Sequence, residues 1–468
     1  MNGIRKDRSE GSVNCEVASG RLYTGSQMAP QPAQFAALGQ PAIVTGDGAF
    51  TSLFFKTIPF WLLLAYGSFL PATLTPWFQI LGVPVDSFDF LMTATAVFYV
   101  LMFLISPIQS SPVEWNRRLP LWTAGILCFA ALSFLWNGLE GLERRAMAVN
   151  LAVSVVTVAL SYFLVLYVPA ERLDDFLFLL AAGISVVGLA YSAESFLGLN
   201  LRSELGRSYS VGFGIDRVHG PLFASSRGHI ILLPAVAYMV QGLMVDRTRR
   251  VLKTVILLSL VVTCLGLGSR AALLLLLFFA LTLCWVARKR MSAVIMFLGI
   301  VALSVGLVFS IASGERLESM IDSGRLTTHV TALETLRGRG FALDVAGTGY
   351  GSIWHWYLED VTMGDKIIRG WLMRWTEYGM TLYNSHSLVL LLILELGALG
   401  LVYLAKIWSV LAGIFLAGLR RGPTGVFACG VAISGLSMLA EIMIFKEPKT
   451  SAIWLIFLFA ALKSESKQ

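Results

Sequence analysis

Long apolar segments recur along this chain, and they constrain its fold more than any other feature. Most are roughly 18–22 residues long, the length that an α-helix needs to cross a hydrocarbon core of about 30 Å. The chain is 56% hydrophobic and only 14% charged, well outside the usual range of soluble globular domains. We therefore predict an all-α, polytopic membrane protein of about twelve transmembrane helices, at 53–72, 89–107, 119–137, 146–168, 175–197, 228–245, 251–267, 271–287, 291–312, 387–419, 424–441 and 450–464.

These segments predict five parts of the chain. The segment 387–419 is too long for one simple crossing, so Gly397 and Gly400 predict a break or a tilt within it. The first fifty residues are rich in Gly, Ser, Gln, Pro and Ala and have no positively charged region leading into a cleavable apolar segment. The predicted parts are a disordered cytoplasmic tail (1–50), helices 1–9 (51–312), a large periplasmic loop (313–386), helices 10–12 (387–464) and a short cytoplasmic tail (465–468).

Lysine and arginine residues in the short loops predict the orientation, because such residues are enriched on the cytoplasmic side. Arg144, Arg145 and four arginines between Arg202 and Arg227 break this rule, so they need another reason to lie outside. The other clusters fall on one side, which should be cytoplasmic together with both termini: Arg117-Arg118, the group Arg247, Arg249, Arg250 and Lys253, Arg288-Lys289-Arg290, and Arg420-Arg421.

Cysteine usage and net charge exclude several classes of protein. Four of the five cysteines lie in predicted spans, and there is no Cys-x-x-Cys or Cys/His spacing. The sequence therefore predicts neither a disulfide framework nor a metal site. The net charge of +7 is explained by arginine clusters near anionic headgroups, so it does not indicate nucleic-acid binding.

One histidine stands where the long polar loop meets an apolar helix. His386-Ser387 directly precedes the apolar run Leu388–Leu394. Nine residues separate Ser387 from Gly397, and two more separate Gly397 from Gly400. A titratable group at a membrane surface suits chemistry on a lipid-linked substrate. The alternative is that a loop simply holds a polar residue at this point.

Three arginines on the predicted outer side are candidate anion-binding residues: Arg270, Arg325 and Arg217. A guanidinium group stays charged and binds phosphate oxygens through two parallel hydrogen bonds. Each arginine could instead extend to lipid headgroups. Glu395 is a carboxylate within an apolar run, which indicates either a functional role or a structural partner.

The predicted loop before His386 combines glycines with aromatic side chains. The stretch Gly347-Thr348-Gly349-Tyr350-Gly351 would let the backbone approach a ligand closely, although glycine turns are common in loops. It has no following Lys-Ser/Thr, so it is not a P-loop. The aromatic rings suit either sugar faces or the membrane interface: Tyr350, Trp354, Trp356, Tyr357, Trp371, Trp375, Tyr378 and Tyr383.

The His-Ser-x9-Gly-x2-Gly spacing from His386 to Gly400 resembles the motif of the bacterial O-antigen ligases. Their superfamily also includes O-antigen and exopolysaccharide polymerases. Ser269-Arg270 at the start of an apolar span, Ser323-Gly324-Arg325 and the glycine-rich stretch before the histidine are similar to it too. The likeness covers roughly residues 200–410, whereas the first spans agree only in hydropathy.

The resemblance implies a metal-independent, inverting glycosyl transfer on the periplasmic face of the bacterial inner membrane, with no cofactor. The donor would be a glycan on undecaprenyl diphosphate, and the acceptor a glycolipid or a second lipid-linked repeat unit. His386 would act as general base on the acceptor hydroxyl or orient it, since its unperturbed pKa of about 6.5 suits proton transfer near neutrality. Arg270 and Arg325 would hold the diphosphate, and Arg217 is a weaker third.

Three functions stay open at the level of sequence. A ligase would attach the glycan to the lipid A core, whereas a polymerase would attach it to another repeat unit. A polytopic transporter or flippase would predict charged residues deep in several spans and an internal repeat, neither of which is evident. Convergence of His386, Arg270 and Arg325 in one outward cavity would favour the enzymes.

Overall fold

The computed structural model describes residues 118–138, 140–168, 172–197, 228–246, 248–286, 340–352, 387–439 and 448–465, together with short pieces and single residues elsewhere. The predicted tail 1–50 and the predicted span 53–72 lie outside the described residues, as does nearly all of 89–107. The predicted span 291–312 is described only at scattered positions.

Ten helices account for most of the described residues. They are α1 (Arg118–Leu132), α2 (Gly141–Tyr167), α3 (Leu173–Leu197), α4 (His229–Val245), α5 (Arg250–Gly266), α6 (Arg270–Val286), α7 (Phe341–Ala346), α8 (Leu388–Arg421), α9 (Val426–Ser434) and α10 (Pro448–Glu465). Turns of 3-10 helix follow three of them, at Ser133–Leu135, Gly422–Gly425 and Gly435–Leu439.

Three short antiparallel ladders complete the described elements. They pair β1 (Phe78–Ile80) with β2 (Val83–Val85), β3 (Val211–Gly212) with β4 (Ile215–Asp216), and β5 (Arg374–Trp375) with β6 (Thr381–Leu382). Their registers place Phe78 opposite Val85, Val211 opposite Asp216 and Arg374 opposite Leu382.

Nine of the predicted apolar segments coincide with these helices, so their prediction as helices is confirmed. By length and composition, three helical stretches among the described residues can cross a membrane: Met147–Leu166, Leu173–Leu197 and Leu388–Leu439. Such helices agree with a helical membrane protein. The number of spans and their orientation stay predictions.

Helix α4 lies at the centre of the bundle, packed against α3, α5 and α9. Its sequence carries no charged residue between His229 and Val245, so it is suited to burial on all sides. The contact with α9 is very close, since a Cβ added at Gly430 would lie 2.1 Å from the Cβ of Ala237. Small residues at such contacts let helices approach within van der Waals distance, which drives packing in membranes.

Polar side chains join several helices at one end of the bundle. Gln241 Oε1 near the end of α4 accepts a hydrogen bond at 2.9 Å from the amide of Phe427, which lies in the first turn of α9. Lys463 in α10 donates to three carbonyls at the end of α2. We call this end, which contains Val165–Val168, Asp246–Lys253, Arg420-Arg421 and Lys463, the basic end.

Candidate functional site

Helix α8 is broken at Gly397, as its glycine predicted. The backbone there has φ 57° and ψ −140°, a region that only glycine enters without strain. The break separates a first half, Leu388–Leu396, from a longer second half that runs to Arg421 at the basic end. The first half, which we call the half-helix, therefore lies at the opposite end of the bundle.

The carbonyls exposed by this break are bound by the glycine-rich stretch. Thr348 N donates to the Leu394 carbonyl and Gly349 N donates to the Glu395 carbonyl, both at 2.9 Å. Carbonyls at the end of a helix need such partners, and in an apolar environment leaving them bare costs several kcal/mol. We call Gly347–Ser352 the clasp, because it holds the half-helix at this point.

Clasp and helix meet backbone against backbone, with no room for a side chain between them. A Cβ added at Gly347 would lie 2.3 Å from the carbonyl carbon of Glu395. One added at Gly397 would lie 2.4 Å from the Val345 carbonyl oxygen. Glycine is therefore required on both sides of the contact, on steric and on conformational grounds, since φ is +73° at Gly347 and +57° at Gly397.

The other side of the clasp is bound to the end of α1. The Ser133 hydroxyl accepts from the Tyr350 amide at 2.7 Å, and the Asn137 side-chain amide donates to the Tyr350 carbonyl at 3.1 Å. The Trp136 indole donates to the Gly347 carbonyl at 3.3 Å. Gly349 fits against Asn137, where an added Cβ would lie 2.3 Å from the Asn137 Cβ. The clasp thus links α1 to the half-helix.

A buried polar group lies between these elements. The Tyr350 side chain is completely buried, packs edge-on against Phe134 at 6.2 Å between ring centroids and is hydrogen-bonded to Ser154 on α2. Burial, and then the nearby charge of Glu395, raise the pKa of the Tyr350 hydroxyl well above its ordinary value, while the Ser154 hydrogen bond opposes the shift. Glu395 is itself fully buried. The Tyr350 and Glu395 side chains therefore both lie inside the bundle.

The predicted catalytic histidine immediately precedes this arrangement. Ser387 is the N-cap of α8, and its Oγ accepts a hydrogen bond from the Leu390 amide at 3.4 Å. Ser387 is 3% exposed, so the start of the half-helix is packed as well as capped. His386, one residue earlier, lies outside the described residues.

Of the three predicted arginines, the structure describes only Arg270. Arg217 and Arg325 lie outside the described residues. Arg270 is described by its backbone alone, as the first residue of α6. Helix α5 runs away from the basic end and α6 returns to it, so Arg270 and Leu388 both begin helices at the clasp end. Whether Arg270, Arg325 and His386 share a cavity stays a prediction.

An apolar groove runs along the surface between α1 and α8, beginning beside the break. Its volume is about 280 Å³. The Tyr403 hydroxyl at its wall is hydrogen-bonded to Thr123 at 3.2 Å, so little polarity faces the groove. Its lining residues are Leu121, Trp122, Gly125, Ile126, Phe129, Leu399 and Tyr403.

Sequence reasoning missed the residues that hold the clasp. Ser133 and Asn137 lie four residues apart near the end of a predicted span, and Ser154 lies inside the next. Polar residues at such positions are a weak signal, because nothing in the local sequence identifies a partner more than 200 residues away. No protein-family model and no curated protein matches this chain. Function is therefore inferred from the residues and their geometry.

Proposed function

We propose that this protein is an O-antigen ligase-like glycosyltransferase of the bacterial inner membrane. It would transfer a glycan from undecaprenyl diphosphate to a hydroxyl of the lipid A core on the periplasmic face. The main support is the clasped half-helix. Its break falls at the first glycine of the His-Ser-x9-Gly-x2-Gly spacing, and its first turn is capped by the residue after His386.

A fixed helix start suits the reaction because a general base works only at hydrogen-bond distance from the proton that it removes. In the proposed mechanism, His386 takes the proton of the acceptor hydroxyl. The acceptor oxygen then forms a bond to the anomeric carbon of the donor, on the face opposite the diphosphate. The bond from that carbon to the diphosphate oxygen breaks, with inversion, and undecaprenyl diphosphate leaves with both bonding electrons.

The predicted arginines would act on the leaving group. Arg270 and Arg325 would bind the diphosphate oxygens and stabilise the negative charge that develops as the bond breaks, with Arg217 as a third candidate. The placement of Arg270 at the start of α6, at the same end of the bundle as the clasp, is compatible with this role. The mechanism needs neither a metal nor a cofactor.

The donor's isoprenoid tail also needs an apolar surface near the clasp. The groove between α1 and α8 begins at Leu399, two residues after the break, and its lining is apolar. An alkyl chain fits such a surface at little cost, since no polar group has to be desolvated. We therefore place the tail of the donor along this groove.

The test is glycan analysis of a deletion strain complemented with the wild type, His386→Ala, Arg270→Ala or Arg325→Ala. If the protein is a ligase, polymer should accumulate on the lipid carrier while the lipid A core stays bare in the strains that carry the alanine variants. The enzyme assignment fails if the alanine variants, expressed at the normal level, all restore the wild-type glycan. A transporter or flippase without chemistry would then be the better description.

A polymerase of O-antigen or exopolysaccharide type is the second candidate. It is favoured by Ser323-Gly324-Arg325 followed by the glycine-rich stretch, which is similar to those polymerases. The same strain distinguishes it, because loss of a polymerase leaves only single repeats on the core or in the medium. The acceptor would then be a second lipid-linked repeat unit.

A further inference from the structure

The half-helix is held by contacts from outside its own helix. At Gly397 the chain leaves helical geometry, so the second half of α8 does not by itself fix the direction of the first. Two backbone hydrogen bonds of 2.9 Å from the clasp reach the last turn of the half-helix. The attachment of the clasp therefore contributes, together with the packing of the buried Leu388 and Leu391 side chains, to the direction of the half-helix.

The clasp is attached to two other helices. Its Tyr350 backbone is bound at both the amide and the carbonyl, by Ser133 and Asn137 at the end of α1. Its Tyr350 ring is completely buried, and the Tyr350 hydroxyl is hydrogen-bonded to the Ser154 side chain in α2. A ring locked in this way cannot move without opening a cavity, which costs several kcal/mol for an aromatic side chain. The clasp is thus a rigid connection from α1 and α2 to the half-helix.

A glycine-rich stretch such as the clasp could instead bind a ligand through its backbone amides. The geometry argues against this role. The amides of Thr348, Gly349 and Tyr350 all donate to protein oxygen atoms. At Gly347 and Gly349 the space that a side chain would fill is occupied by Glu395 and Asn137. These amides and glycines serve contacts within the protein, so they are not directed at a bound anion.

We propose that the clasp is a positioning element for the transfer reaction. By fixing the half-helix it fixes Ser387, the residue that directly follows His386 in the chain. Tyr350 is the positioning residue that anchors it, and it acts without touching the substrate. This inference rests on the proposed function, because it requires His386 to take part in the reaction.

Gly349→Ala tests the proposal, with Gly340→Ala as the matched control. An alanine at Gly349, where φ is +94°, meets Asn137 at 2.3 Å, whereas a Cβ at Gly340 meets nothing within 4 Å. Both proteins would be purified in nanodiscs and given the lipid-linked glycan that accumulates in the deletion strain. We expect kcat per folded molecule to fall roughly 10- to 100-fold for Gly349→Ala, the cost of misplacing a catalytic group by about 1 Å. The KM for the donor should change less than about twofold, and Gly340→Ala should match the wild type.

Hydrogen exchange supplies a measurement that does not depend on activity. Amides of the half-helix should exchange faster in Gly349→Ala than in the wild type, while those of the second half of α8 should not. If Gly349→Ala does not fold, Trp136→Phe is the milder variant, because it removes only the indole donor to the Gly347 carbonyl. It should shift exchange and kcat in the same direction by a smaller factor.

An unchanged kcat per folded molecule, together with faster exchange in the half-helix, would overturn the positioning role and leave the clasp as a structural contact. A rise in KM with kcat unchanged would overturn it too, since that result belongs to a binding residue. Failure of the proposed function looks different. In that case the wild type itself, and not only the variant, transfers no glycan, while the exchange difference persists.

Discussion

The two ends of the helical bundle are held together by different chemistry. At the clasp end, backbone amides and glycines meet a broken helix, and the polar contacts come from the short side chains of Ser133 and Asn137. At the basic end, Lys463 Nζ donates to the carbonyls of Val165, Leu166 and Val168 at 2.7, 3.0 and 2.6 Å. Lys253 forms an ion pair with Asp246 at 2.8 Å.

This difference determines how much change each end tolerates. A lysine reaches its partners through a flexible stem that can adjust, whereas two backbones in contact leave no freedom. A single added methyl group is therefore enough to disturb the clasp end. The lysine contacts of the basic end tolerate such a small change, although the backbones of Gly418 and Gly425 also meet closely there, since a Cβ added at Gly425 would lie 2.1 Å from the Gly418 carbonyl oxygen. Rigid placement suits a catalytic element, and the predicted catalytic histidine directly precedes the half-helix that the clasp holds.

The largest effect is expected for Gly397→Ala. An alanine there adopts a left-handed backbone and meets the Val345 carbonyl at 2.4 Å, so we expect a loss of about 2–4 kcal/mol in the free energy of unfolding. Thermal unfolding in detergent measures it. Gly413→Ala in the same helix is the control, because a Cβ there meets nothing within 4 Å. Equal stability of the two variants would contradict the tight contact.

A smaller loss, about 1–3 kcal/mol, is expected for Lys463→Met at the basic end. The change keeps the length of the side chain but leaves three carbonyls at the end of α2 without their charged donor. Lys463→Arg should retain most of the stability, because its guanidinium also donates several hydrogen bonds. If Arg were as damaging as Met, the flexible contact inferred for this end would be wrong.

Filling the groove should affect activity and leave stability nearly unchanged. Gly125 lines the groove between α1 and α8 and a Cβ there meets nothing within 4 Å. Gly125→Leu should therefore fold, occupy the surface proposed for the lipid tail and raise the KM for the lipid-linked donor several-fold. Gly413→Leu is the matched control, since Gly413 is also in open space but outside the groove. Identical donor KM values for the two variants would show that the lipid tail does not bind in this groove.

The smallest effect is expected for Asp246→Asn, and it depends on pH. Hydrogen bonds from Lys253, and then from Thr248, hold the pKa of the Asp246 carboxyl well below its usual range. A carboxyl whose pKa is lower in the folded than in the unfolded protein stabilises the fold above about pH 4, and this contribution is lost as the pH falls further. The Tm difference between the wild type and Asp246→Asn should thus be small at pH 7 and smaller at pH 3. A difference that grew toward acid pH would contradict the assignment.

Sequence alone identified the long helices and the position of the break. Apolar segments of membrane length predicted nine helices that the structure contains, because hydropathy and helix length are local properties. Gly397 predicted the break for the same reason, since a left-handed backbone favours glycine wherever it occurs. His386 and the arginines were singled out by residue type and spacing, which is enough to propose chemistry but not to place the side chains.

The role of the glycine-rich stretch was decided only by the tertiary structure. From the sequence, Gly347–Gly351 suited the approach of a ligand as well as a simple turn, and Glu395 suited either a functional or a structural role. The fold instead brings this stretch against the broken helix and buries Tyr350 and Glu395 between α1, α2 and α8. The hydrogen bonds of the Tyr350 backbone to Ser133 and Asn137 join residues more than 200 positions apart. Local preferences do not encode them, because the partner of each backbone amide is chosen by the packing of the whole bundle.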